Sequence, residues 1–294
     1  MNRPVSSEKL RTRYQMFGAI FQAFCLAANV TALMFLFVLI VGVITDGVEF
    51  LSLDFLSNYP SRMPAKAGIL SAIVGSIAML SLTALFAIPM GIGAAIYIEE
   101  YASESRLIRF IKLNIQNLAG VPSIVYGILG LTLFVRGMDL GRSLLAGALT
   151  MALLILPVIT IAAQEALRAV PDSFRLAGFG IGMTRWQVVR HMVLPVSIPG
   201  MLTGIILALS RAIGETAPLI MIGALTFVAF LPASPMDGFT VLPIQIFNWT
   251  SRPQAEFHSL AASGIIVLLV VLLAMNALAI FLRVHFRNKL KHLH

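Results

Sequence analysis

Charge is scarce in this chain. Of 294 residues only 12% are Asp, Glu, Lys or Arg, while 59% are apolar, and the mean hydropathy is +0.92. A soluble globular domain carries about 25% charged residues, so a water-soluble fold is excluded and an all-α, polytopic membrane protein is expected. Cysteine is scarcer still: Cys25 stands alone in the first apolar run, which excludes an intrachain disulfide. No G-x-x-x-x-G-K-[ST] stretch is present to cradle ATP phosphates, and there is no H-E-x-x-H, paired cysteine or nucleophile elbow. His191, His258, His285, His292 and His294 are scattered over loops and ends. No metal site, cofactor or catalytic centre is therefore expected. The net charge of +8 could suggest a nucleic-acid partner, but the basic residues sit at segment ends and form no stripe. They read as signals addressed to a lipid bilayer.

What is present is a series of long apolar runs. A bilayer core about 30 Å thick needs roughly 20 apolar residues in helix, and six stretches meet or approach this, at 17–44, 68–98, 117–135, 143–163, 199–230 and 259–282. The first is too long for a cleaved signal and reads as a retained span. The loops leave no room for an aqueous domain, so residues 1–294 are expected to form one transmembrane domain. Residues 6–16 read either as a short interfacial helix or as a basic anchor. Pro89 with Gly91 and Gly93, and Gly214 with Pro218, are expected bends.

Basic residues set the orientation. One side holds Arg3, Lys9, Arg11 and Arg13, then Arg106, Arg109 and Lys112, then Arg168, Arg175, Arg185 and Arg190, and finally Arg283, Arg287, Lys289 and Lys291. The other holds Arg62, Lys66, Arg136, Arg142 and Arg252. The positive-inside rule then places both termini in the cytoplasm.

The connection at 164–198, QEALRAVPDSFRLAGFGIGMTRWQVVRHMVLPVSI, is too well punctuated for a disordered loop. Pro171, Asp172 and Ser173 open a helix that Gly178, Gly180 and Gly182 close. Thr184 and Gln187 have capping-box spacing, predicting a second short helix through Trp186, Val189 and Met192 up to Pro195. Trp186, Val189 and Val193 share one face of it. That face either packs on the chain's own bundle or serves a partner.

The fifth run contains LSRAIGETAPL, with Arg211 and Glu215 four residues apart on one helical face. A charge at mid-bilayer costs a few kcal/mol or more, so both side chains should avoid lipid. Two readings are open. One is a structural ion pair; in the other Arg211 meets an oxyanion, its planar fork suiting phosphate, and Glu215 limits the affinity so that the anion is released. Ser210 and Thr216 are candidate donors or merely bond their own backbone. Arg136 either attracts anions at the outer end of the third run or anchors it. In AGVPSIVYG, Pro122, Ser123 and Tyr126 read as a path-lining kink or as packing. Glu99, Glu100 and Glu104 read as a solvated helix end.

Together these segments resemble a known family. GIGMTRWQVVRHMVLP (180–195), with Gly182, Trp186, Leu194 and Pro195 at the matching positions, is similar to the EAA coupling loop of ABC importer permeases. IPMGIGAAIYIEEYA (88–102), NLAGVPSIVYGILGL (117–131) and SRAIGETAPLIMIGA (210–224) resemble the permeases of phosphate-specific transport (Pst) importers, the A-type above all. The resemblance implies the type I permease fold in a bacterial inner membrane and half of a phosphate path through Arg211, Glu215, Ser210 and Thr216. The implied partners are a second, C-type permease forming a heterodimer, two ATP-binding subunits and a periplasmic phosphate-binding protein. Docking to the ATPase would fall to Gly182, Thr184, Arg185, Trp186, Val189, Leu194 and Pro195. Where the loop motif usually opens with Glu-Ala-Ala, this chain has Leu176, Ala177 and Gly178, so that acidic contact is missing.

Overall fold

The computed structural model describes residues 7–224 and 227–291, and among these the secondary structure is helical throughout, without strands. Arg3, His292 and His294 lie outside the described residues. Apart from short helical turns at Val48–Phe50, Leu53–Ser57 and Pro64–Lys66, the elements are α1 (Ser7–Gly47), α2 (Leu70–Tyr101), α3 (Arg106–Ala119), α4 (Ser123–Gly137), α5 (Leu144–Arg168), α6 (Asp172–Gly180), α7 (Arg185–Gly214), α8 (Ala217–Ile222), α9 (Leu242–Thr250) and α10 (Ala255–Lys291). Five helices are long and apolar enough to cross a membrane, namely α1, α2, α5, α7 and α10; α3 and α4 make a sixth if that bent pair is counted as one. Residues 6–16 yield no separate helix, because α1 runs unbroken from Ser7.

The third expected span is a sharp elbow. α3 and α4 meet at 103° because Pro122 offers no amide to a helix arriving from Asn117 and holds its own backbone extended. Tyr126 staples the elbow by donating its hydroxyl to the Leu118 carbonyl at 2.8 Å. It is buried and so does not line an open path. The fifth expected span is also broken. α7 stops at Gly214, Glu215 is extended, and Pro218 lacks the amide that the Gly214 carbonyl would need.

α5 is the central post. In its most apolar stretch 67% of residues are buried, against 0% for α1. α2 and α7 pack along it, and α3, α4 and α8 touch it. Met151, Ile155 and Ile159 face Met79 and Ala87 of α2 and Ile205 and Ala208 of α7 in the middle core. α5 and α7 approach so closely that a Cβ on Gly204 would lie 2.1 Å from the Ala162 methyl, the small-residue packing by which membrane helices gain contact without a hydrophobic driving force. A second core gathers Phe55, Ile69, Trp249 and Phe257 at the far end. A third gathers Leu167, Val170, Val188 and Val193 at the end that carries residues 164–198, the loop end.

Candidate functional site

Two regions carry charge into this apolar scaffold. The first is the break after α7. Arg211, in the last turn of α7, donates from Nε to Glu215 Oε1 at 3.1 Å. The Arg211 side chain is 47% exposed and that of Glu215 18%. Among the described residues the two Nη nitrogens of Arg211 have no hydrogen-bond partner. A planar guanidinium thus presents a free edge while its other edge is tethered by a carboxylate. Pro218, just past the break, packs against Gly127 of α4, which sets the break beside the elbow of α3 and α4.

The other path candidates are not all gathered there. Ser210 is committed elsewhere: its hydroxyl bonds the Ile206 carbonyl and the side-chain amide of Asn276 on α10. The spacing of Ser210 and Arg211 could not show this, because Asn276 is 66 residues away. Thr216 lies in the break and lines a mostly apolar open cleft of about 460 Å³ with Ile220, Pro243 and Phe247, a cleft that neither Arg211 nor Glu215 lines. Arg136 is exposed near the end of α4, ten residues and so roughly 15 Å of helix beyond Tyr126. Arg211 and Glu215 remain as the paired centre.

The second region is the loop end. α6 closes at Gly180, and Gly182 takes a φ of 81°, the left-handed conformation that a side chain would strain. Thr184 then caps α7 in the expected box: its amide donates to Gln187 Oε1 at 2.8 Å, and the Gln187 amide donates to Thr184 Oγ1 at 3.4 Å. Pro195 does not end this helix. A wide turn at Val189–Val193, in which the Leu194 amide reaches back to the Val189 carbonyl, absorbs the proline, and α7 continues into the membrane. The expected face of Trp186, Val189 and Val193 is divided. Val189 and Val193 are buried against the chain's own core, with Leu194 and Pro195 half-buried. Trp186 is 51% exposed and stands with Leu176, Phe179 and Ile181 as an outward apolar rim. Leu176, in place of the usual acid, belongs to that rim.

Sequence reasoning missed the charges beneath the rim. Glu99 and Glu100 are no solvated helix end: their side chains are 11% and 7% exposed. Arg168 grips Glu99 at two points, Nε to Oε2 at 2.9 Å and Nη2 to Oε1 at 2.8 Å, and Lys112 adds a third contact at 3.3 Å. Arg175 donates to Glu100 at 2.7 Å and to the carbonyls of Val170 at 2.8 Å and Leu167 at 3.0 Å. The hydrogen bond that Arg175 donates to Glu100 holds its guanidinium even more firmly protonated than usual. Arg185 stacks over the Tyr101 ring, 5.4 Å from its centroid. Only Glu104 answers the expectation of solvation. The available signal was charge of both signs at one end of a chain otherwise so poor in it.

A bent, six-segment helical membrane protein with an ordered, ion-paired loop at one end and a broken, charged helix inside defines a class of transport scaffold. A profile for the inner membrane component of binding-protein-dependent transport systems matches residues 87–292, and the chain belongs to that family. It is 33% identical to a probable ABC transporter permease, YqgI of Bacillus subtilis, over 99% of each chain. It is 32% identical to the phosphate transport system permease protein PstA of Yersinia pestis, over 91% of this chain and 88% of that one. Among solved structures, a chain of a bacterial ABC transporter involved in import of the acidic polysaccharide alginate overlays with a TM-score of 0.64. That likeness covers 95% of this chain and 99% of that one at 15% identity, and is one of fold, the type I importer permease fold.

Proposed function

We propose that this chain is the permease subunit of an ATP-driven importer of inorganic phosphate, one transmembrane domain forming half of the path. Its expected setting is a bacterial inner membrane with both termini in the cytoplasm. Its expected partners are a second, C-type Pst permease, two ATP-binding subunits, one of them docked on residues 164–198, and a periplasmic phosphate-binding protein. Phosphate permeases among its relatives support the substrate. The observation that carries the reading is the half-open guanidinium of Arg211, tethered by Glu215 and with both Nη nitrogens unpaired among the described residues. Such a group can donate to two oxyanion oxygens side by side, while the tethering carboxylate keeps the hold weak enough for release. On the loop, the exposed rim of Leu176, Phe179, Ile181 and Trp186 is the surface offered to the ATPase.

The test is radiolabelled phosphate uptake by the assembled complex in proteoliposomes. Arg211→Ala is expected to abolish uptake while the subunits still co-purify. Normal uptake by that variant would remove Arg211 from the path, and transport of sulfate or molybdate in place of phosphate would overturn the substrate. Trp186→Glu is expected to release the ATP-binding subunits; their retention with normal coupling would refute the docking surface.

A further inference from the structure

The two adjacent carboxylates at the end of α2 join elements that the coupling loop would otherwise leave independent. Glu99 and Glu100 are successive residues of the wide last turn of α2, so they point apart and reach different partners. Glu99 collects Arg168 from the end of α5 and Lys112 from α3. Glu100 collects Arg175 from α6. Arg175 also bonds the Leu167 carbonyl in the last turn of α5 and the Val170 carbonyl just beyond it, so one guanidinium ties α6 to α2 and α5 at once. Paired Arg–carboxylate bonds are directional as well as strong. α6 therefore cannot tilt against α2 and α5 without breaking charge-assisted bonds to a carboxylate that is 7% exposed. By contrast, α6 meets the start of α7 through an apolar contact, Gly178 against Val188, which has no comparable directionality.

Building on the reading that this loop docks an ATPase, we propose that Glu99 and Glu100 are positioning residues of coupling. A displacement imposed on α6 passes through Arg175 and Arg168 into α2 and α5. From there the close Gly204–Ala162 contact hands it to α7, the helix that bears Arg211. The loop, in this account, travels with α2 and α5 as one body.

The test uses the complete importer in proteoliposomes, with phosphate transported per ATP hydrolysed as the readout. In Glu100→Gln, and more mildly in Glu99→Gln, the ATP-binding subunits are expected to co-purify and hydrolysis to continue while phosphate per ATP falls at least tenfold in the stronger variant. An unchanged ratio overturns the proposal, as does loss of the ATP-binding subunits, which would reduce the network to a support for the loop's shape. A second measurement leaves the network intact. Cys25→Ser removes the native thiol, Ser103→Cys and Ser173→Cys place thiols at exposed positions beyond α2 and on α6, and a short bifunctional thiol reagent joins them. Uptake surviving the cross-link supports joint motion, and uptake abolished by it overturns the proposal. If the docking reading is itself wrong, a photo-reactive probe at Gly180→Cys in the Cys25→Ser background, where an added side chain meets nothing within 4 Å, labels no ATP-binding subunit in the otherwise active complex, an outcome separate from a lowered ratio, and the proposal falls with it.

Discussion

The chain holds two kinds of ion pair, and their difference separates holding from handling. At the loop end, Glu99 and Glu100 are nearly buried and each meets a guanidinium through more than one bond. In the fifth span, Arg211 and Glu215 share a single bond, and Arg211 is 47% exposed. A buried carboxylate must have its lone pairs answered, or burial would neutralise it. The loop-end network answers them and in doing so ties four helices together. The mid-span pair answers only one edge of Arg211 and leaves the other for water, a neighbouring subunit or an anion. Rigidity and availability are thus divided between two places, linked by α5 and α7.

Arg175→Ala should break this contrast most severely. It leaves Glu100 buried without its cation and strips the Leu167 and Val170 carbonyls of a donor, and removing one partner of such a pair costs about 3 kcal/mol, the low end for buried pairs because Arg175 retains some exposure. Thermal unfolding of the purified complex should show the loss. Trp186, one of two tryptophans, should report early loosening of the loop in its fluorescence. A melting curve matching that of the unaltered chain would mean that the network holds nothing.

Gly204→Val probes the link between the two regions. Its Cβ would meet the Ala162 methyl at 2.1 Å, forcing α5 and α7 apart at a cost of about 1 to 3 kcal/mol. Uptake should fall more than stability does, because the wedge separates the loop-end network from Arg211 without touching either. Gly204→Ala should show the same sign with a smaller size.

How much of this was legible beforehand depended on the range of each interaction. The capping box of Thr184 and Gln187 and the pairing of Arg211 with Glu215 lie within one helical turn, and sequence spacing shows them directly. The break at Pro218 and the elbow at Pro122 follow from a missing amide, although their size, 103° at the elbow, depends on what packs around them. Glu99 and Glu100 were misread because their partners lie 69 and 75 residues away. An acidic helix end looks the same in sequence whether water or arginine receives it. Pro195 was misread for a related reason: a wide turn just before it supplies an alternative bonding pattern that no residue announces. Val189 is buried in the chain's own core, a tertiary fact that the period of the helix cannot contain.

The smallest structural effect should come from Glu215→Gln, and it is the sharpest test of the mid-span pair. The glutamine oxygen can still accept from Arg211 Nε, so the geometry is kept and only the opposing charge is removed. A half-exposed pair contributes about 0 to 1 kcal/mol, and the melting temperature should hardly move. If the pair merely fixes helix packing, uptake should hardly move either. If Glu215 limits the hold of Arg211 on an oxyanion, its removal should raise phosphate retention by the purified complex on the order of tenfold, equivalent to about 1.4 kcal/mol. Equilibrium dialysis without the binding protein measures that retention, and the maximal uptake rate should fall as release slows. Tighter binding with slower transport in an equally stable protein is a combination that a packing role does not produce, since loss of packing would weaken both together.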